Sequence, residues 1–180
     1  MTDNPAYDAL VHLANLCSAS AVSLPEKVDA DPRQSGVGFS LLGRRFVAPM
    51  GQISEILEMP SVTKLPGVQT WVIGLSNVRG RLLPLFDMAQ FFGSGALANR
   101  KQQRVLVLDF GNLYSGLVVD QSFGMQHFTR ELYREKVEDV PEAIAPYVKG
   151  EYVDASGLSW AVFDMKAIAR DSRFLNAAAS

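Results

Sequence analysis

Trp71-Val-Ile-Gly-Leu-Ser-Asn-Val-Arg-Gly-Arg-Leu-Leu-Pro-Leu-Phe-Asp-Met-Ala-Gln-Phe-Phe-Gly93 decides how the rest of the chain is read. It opens as an apolar run, breaks at Ser76–Arg81 and returns as a second apolar run. The spacing predicts a strand, a tight polar turn and a second strand. Gly74 and Gly80 permit backbone conformations or close approaches that a side chain would block. Asn77, Arg79 and Arg81 cluster on the connection. Pro84 cannot donate to a ladder, so its strand is expected at a sheet edge or beside a bulge. Asp87 is placed to cap a short helix, Met88 to Phe92, with Gly93 as its stop. Such an arm holds a few polar groups in fixed geometry, which is more than a core strand requires.

The bounds set by composition are simple. The 180 residues are 48% apolar, which fits a folded chain with a sizeable core. A net charge of -2 gives no basic footprint for nucleic acid. No run of about 18 apolar residues is present, so no membrane insertion is expected. Met1–Asp8 lacks the basic region of a secretory signal. Cys17 is the single cysteine, so an intrachain disulfide is excluded, consistent with a cytoplasmic location.

Working outward, residues 1–36 differ from the rest. Ala6–Cys17 carries Leu10, Leu13, Ala14 and Cys17 at helical spacing. This helix either docks on the domain or serves a separate partner. Ser18–Gly36, rich in Ser and Pro, reads as a linker or strap. From Val37 short strands take over, first as a hairpin turning at Gly43-Arg44-Arg45. Ile53, Glu55, Ile56 and Glu58 follow on a half-apolar segment, a short strand or a helical turn. Glu55 and Glu58 there belong to a solvated face or to a binding face. Arg104–Phe110 is apolar on both faces and therefore expected to be buried on both. Leu113–Asp120 follows it across a Gly111-Asn112 turn, and Ser122–Gly124 is expected to end that run. Tyr147–Val153 and Leu158–Phe163 are the last expected strands, and 171–180 is expected to be a tail.

An internal echo organises these elements. Pro84-Leu-Phe-Asp-Met-Ala-Gln-Phe parallels Ala161-Val-Phe-Asp-Met-Lys-Ala-Ile, and the Gly43 hairpin parallels the Gly111 hairpin. The echo predicts two similar β-lobes, about 37–93 and 104–170, sharing an interface because neither alone buries enough apolar surface. Short strands with Gly and Pro turns fit small barrels better than a parallel α/β sheet.

Reactive chemistry is hard to place. His12 and His127 lack Cys or His neighbours at metal-ligand spacing, so no metal site is expected. No P-loop or dinucleotide fingerprint occurs, and no cofactor is expected. Ser122 and Asp120 lie near His127, but no serine sits in a nucleophile elbow. Asp87 and Asp164 match each other as helix caps rather than as a catalytic pair. Arg79 is read as a binding residue over a solvated turn residue, because Asn77 and the flanking glycines give it a structured turn. A guanidinium can bond bidentately to a partner's carboxylates or carbonyls.

The run Gly74-Leu-Ser-Asn-Val-Arg-Gly-Arg-Leu-Leu-Pro-Leu-Phe-Asp87 resembles the signature of CheW-like domains, with Asn77, Arg79, Gly80, Pro84 and Asp87 in place. Ile53-Ser-Glu-Ile56 and Gly116-Leu-Val-Val-Asp120 resemble two further family segments, and the likeness covers about 37–170. It implies a mainly β fold of two SH3-like five-stranded barrels around a shared core, with short helices. It implies a non-enzymatic adaptor that joins a chemoreceptor's cytoplasmic tip to the CheW-like regulatory domain of a CheA-type histidine kinase, recruited to membrane-associated arrays. By position, Ile53, Glu55, Ile56, Gly74 and Arg79 fall where the family contacts receptor, and Val119 lies near that groove. The N-terminal extension and Gly43-Arg-Arg-Phe-Val-Ala-Pro-Met-Gly-Gln-Ile-Ser-Glu-Ile-Leu57 are more similar to the branch serving type IV pilus twitching motility. Arg81 occupies a position that varies in the family. Two readings of other classes stand beside this one. A ligand-binding β-barrel requires an enclosed apolar pocket in one lobe, and a hydrolase requires His127 beside a serine.

Overall fold

The computed structural model describes residues 33–95 and 101–177. The helix expected at Ala6–Cys17 lies outside them. Eleven strands are described: β1 (Arg33–Leu41), β2 (Arg44–Pro49), β3 (Glu55–Glu58), β4 (Val72–Val78), β5 (Arg81–Asp87), β6 (Arg104–Phe110), β7 (Leu113–Val119), β8 (Gln121–Thr129), β9 (Tyr133–Arg134), β10 (Val148–Val153) and β11 (Ser159–Phe163). Three short helices accompany them: α1 (Met88–Phe91), α2 (Met165–Ala169) and α3 (Ser172–Leu175). The strands form two curled sheets, ordered β8-β1-β2-β11-β10-β9 and β3-β6-β7-β5-β4.

Each sheet is built to one plan. A hairpin ending in Phe-Asp-Met, β4–β5 or β10–β11, lies parallel to a strand of a second hairpin. Thus Leu85 registers with Gly116 and Ala161 with Phe46. The echo in the sequence therefore marks equivalent pieces, but the pieces are not grouped by halves. The Gly43 hairpin joins the second Phe-Asp-Met hairpin, and the Gly111 hairpin joins the first. This corrects the expected lobes at 37–93 and 104–170. Periodicity names the strands that a hairpin can supply, whereas partners distant in sequence are chosen by the core.

That core is divided by strand alternation. Leu106 and Leu108 of β6 enter the cluster between the sheets, while Val105 and Val107 fill the curl of the five-stranded sheet. Phe46 and Ala48 of β2 likewise face between the sheets, and Val47 fills the other curl with Trp160 and Val162. Phe39, Phe46 and Phe163 meet with centroids 5.6–5.8 Å apart at the centre of the shared cluster.

Both aspartate caps form: Asp87 accepts from the Gln90 amide and Asp164 from the Lys166 amide. Pro84 does not sit at an edge, because β5 lies between β7 and β4. It is accommodated because pairing with β7 begins only at Leu85, and β4 carries a register shift between Val72 and Gly74. β1 starts at Arg33, inside the expected linker, and β8 runs nine residues through the expected break at Ser122–Gly124. The register with β1 shifts there, between Gly38 and Phe39.

The described part of the expected tail, residues 171–177, is also structured. Asp171 caps α3, and Phe174 is buried among Trp71, Phe86 and Phe91. The Tyr147 hydroxyl donates to Asp171, and Arg173 Nη2 donates to the Tyr147 oxygen at 2.7 Å and to Asp171 at 3.1 Å. Burial alone would raise the Asp171 carboxyl, but the bonds from Arg173 and Tyr147 outweigh it and lower it to about 2. An unfolded aspartate titrates near 3.9, so the folded state favours the ionised form. Its contribution to stability is complete above about pH 4 and is lost as pH falls towards 2. In urea unfolding, wild type is expected to exceed Asp171→Asn in stability at pH 7, with the gap narrowing below about pH 4.

Candidate partner-binding site

The β4–β5 hairpin closes with Val78 opposite Arg81, leaving Arg79 and Gly80 as a two-residue turn. Their φ values are +52° and +81°, the pattern of a type I′ turn, whose twist matches the flanking strands. The Asn77 side chain accepts from the Gly80 amide at 2.9 Å and fixes the turn. Arginine is an uncommon choice for a left-handed backbone, which costs about 1 kcal/mol for a residue with a Cβ. Asparagine or glycine is the usual occupant.

Arg79 Nη2 donates to Glu55 Oε1 at 2.5 Å. This pair spans the two margins of the five-stranded sheet, since Glu55 lies on β3 and Arg79 on the β4–β5 turn. Its side chains are 77% and 27% exposed. An ion pair so exposed contributes only about 0–1 kcal/mol, so folding stability does not account for an arginine there. Ile56 follows Glu55 on the same edge strand and is 37% exposed. Ile53, half-buried, packs against the shared core just before it. Arg81 is held separately: Nη1 donates to Asp109 at 2.7 Å, and its guanidinium lies 3.7 Å over the Tyr114 ring. The bond from Asp109 raises its already high pKa. This pair too is exposed, at 57% and 38%, so what distinguishes Arg81 is the added stacking on Tyr114 of the β6–β7 hairpin.

Of the sequence-designated residues, Glu55 and Arg79 meet directly and Asn77 fixes the turn that holds Arg79, while Ile56 and Ile53 lie next to Glu55 along the chain. Gly74 and Val119 do not join them as surface groups. Gly74 is buried on β4 with φ +143°, and a Cβ there would fall 2.2 Å from the Thr63 carbonyl oxygen. Its openness is used by the chain itself: Thr63 and Leu75 exchange backbone bonds of 2.8 and 2.9 Å, so the 59–65 strap lies along the outer edge of β4. Val119 is 1% exposed in the shared core. Sequence reasoning passed over Leu82, 63% exposed beside the turn. An apolar residue in an apolar strand carries no mark of exposure in the sequence.

Among the described residues, no group of three His, Cys, Asp or Glu side chains could hold a metal ion. His127 Nδ1 meets Ser35 Oγ at 2.7 Å, whereas Ser122 Oγ donates to the Gly38 carbonyl and Asp120 accepts from the Gly43 amide. A serine, Ser35, thus does stand beside His127, but among the described residues no carboxylate bonds to that ring, and Ser122 and Asp120 are engaged elsewhere. The hollow beside Phe128 and Tyr152 measures about 20 Å³, room for a single water, whereas a larger one of about 540 Å³ is lined by Lys64, Asp87 and Gln90 as well as by Met59, Val62 and Ile73.

A two-sheet β chain that presents an arginine turn paired to an edge strand with an exposed isoleucine has the make-up of a protein-binding module. Sequence comparison gives the class: the CheW-like domain family matches residues 35–173, and this chain belongs to it. It is similar to Protein PilI of Pseudomonas aeruginosa, with 41% identity over 172 residues, 96% of each chain. Protein FrzA of Myxococcus xanthus is 27% identical over 97 residues, 54% of this chain and 61% of that one. In structure, the scaffolding protein TtCheW of Thermoanaerobacter tengcongensis matches 73% of this chain and 88% of that one, with a TM-score of 0.62 and 21% identity, a likeness of fold.

Two outcomes separate structural from binding roles. Gly74→Ala is expected to destabilise the fold by about 2 kcal/mol or more in denaturant unfolding, because the Thr63 backbone cannot yield cheaply. Arg79→Asn is expected to leave the melting temperature unchanged or raise it, because asparagine relieves the turn as the weak pair is lost.

Proposed function

We propose that this chain is the coupling adaptor of a chemosensory array controlling type IV pilus motility. It joins the helical tip of a methyl-accepting chemoreceptor to the regulatory domain of a histidine kinase, and works in the cytoplasm at membrane-bound receptors. Family membership and the near full-length likeness to PilI support the system. The single observation that carries the contact is the exposed Arg79–Glu55 pair beside Ile56.

A receptor tip is a pair of amphipathic helices, and such a surface binds by apolar anchors with a charged rim. Ile56 supplies an apolar anchor on an edge strand. Arg79 and Glu55 supply one donor fork and one acceptor, already facing each other. Polar groups of a helix can enter this pair and exchange partners without uncovering a buried charge. The turn holds the guanidinium in place before binding, which lowers the ordering cost of the contact. Contacts of this kind are individually weak and gain strength by repetition in an array.

The test is co-sedimentation with membranes containing the chemoreceptor of a type IV pilus system, with and without the kinase. Arg79→Glu is expected to weaken receptor binding by on the order of 2 kcal/mol, through loss of a donor and repulsion from Glu55. Its melting temperature should change little, because the lost pair is exposed. Unchanged sedimentation of the variant would overturn the role of the turn. Failure of the wild-type chain to sediment with receptor would overturn the adaptor reading itself.

A further inference from the structure

A second surface lies at the end of the β6–β7 hairpin, where α2 and α3 pass beside it. Phe110, Asn112, Leu113, Lys166, Ala169, Arg170 and Leu175 line an open hollow of about 440 Å³. It shares no residue with the rim formed by Glu55, Ile56 and Arg79. Phe110 and Leu113 pack inward on the shared core and present one side to the hollow. Leu175 contributes a large apolar group that is 62% exposed.

The described cations divide into those paired with a carboxylate and those, Lys64 and Lys136 among them, that have no such partner; this hollow places two of the second kind beside apolar surface. Arg44, Arg79, Arg81, Arg104, Lys149 and Arg173 each have a carboxylate partner. Lys166 and Arg170 line one wall together, and neither side chain has a partner among the described residues. They stand four apart, so the α2 backbone turns both to one side, where like charges repel by a few tenths of a kcal/mol. The C-terminal end of α2 favours cations and eases that repulsion. It does not explain why both cations flank exposed apolar surface.

We propose that this hollow is a docking site for an acidic, amphipathic peptide segment of a partner protein. Its apolar side chains rest on Phe110, Leu113 and Leu175, and its carboxylates bond to Lys166 and Arg170. The volume suits two or three side chains of a segment, not a folded domain. Charge complementarity selects an acidic occupant. A membrane surface is disfavoured, because anionic lipid recognition draws on clusters of about four to eight cations.

The test pans a display library of random twelve-residue peptides against the full chain, with counter-selection on the Lys166→Glu/Arg170→Glu variant. Enriched sequences are expected to place Asp or Glu among large apolar residues. As labelled synthetic peptides, they should lose at least tenfold in affinity for that variant and for Leu175→Ser, by fluorescence anisotropy. Lys166→Arg should retain binding, and raised salt should weaken it. Melting temperatures of the variants control for folding. Lack of enrichment, enrichment without acidic residues, or equal affinity for the charge-reversed variant would overturn the proposal. So would binding to phosphatidylserine vesicles that the double variant abolishes, in the absence of peptide binding.

Discussion

The central strands of this protein are buried on both faces, and nearly everything else follows from that. Each of β2, β5, β6, β7 and β11 sends alternate side chains to a curl and to the cluster shared by the sheets. Because side chains alternate strictly, a slip of one residue would exchange the two sets and misfit both clusters at once. Register is therefore fixed from two sides. The Phe39, Phe46 and Phe163 rings lock the middle, and the capped helices α1 and α2 close the Phe-Asp-Met hairpins over it. The Glu55–Arg79 pair lies at an edge strand and a turn, where no second cluster constrains it.

The rim illustrates the division. Arg79 occupies a backbone conformation better suited to asparagine, and its bond to Glu55 is too exposed to return much stability. The neighbouring Arg81 adds stacking on Tyr114 to its own exposed pair with Asp109. One arginine is thus stacked on a neighbouring ring and the other is displayed, two residues apart on the same hairpin. Gly74 shows the converse. Its freedom looks like an opening for a partner, yet the strap at Val62 and Thr63 already fills it.

Much of the architecture was legible in the chain. The hairpins, the aspartate caps and the echo of Phe-Asp-Met each rest on interactions close in sequence, which local residue chemistry encodes. What escaped depends on distant partners. β8 carries Gln, Ser, Gly and His where a strand pattern would have apolar residues, and it is a strand because β1 lies alongside. The grouping of hairpins into sheets is likewise a choice made by the core. Phe174 reads as one aromatic near the end of the sequence, and only the Trp71, Phe86 and Phe91 rings explain it. At the rim, the arginine turn and the glutamate strand were readable, but their meeting across the sheet was not. The burial of Val119 was also hidden, because an apolar strand residue can face either way.

One short connection bears on how the molecule responds to load. β7 ends at Val119 and β8 begins at Gln121, so a single residue, Asp120, carries the chain from one sheet to the other. Its amide donates to the Ser40 carbonyl at 3.0 Å, and its carboxylate receives the Gly43 amide. A joint this short and this tied down gives β7 and β8 little freedom to move separately at that point. The two sheets are thereby clamped at this crossing, as two boards are by a single dowel set flush between them.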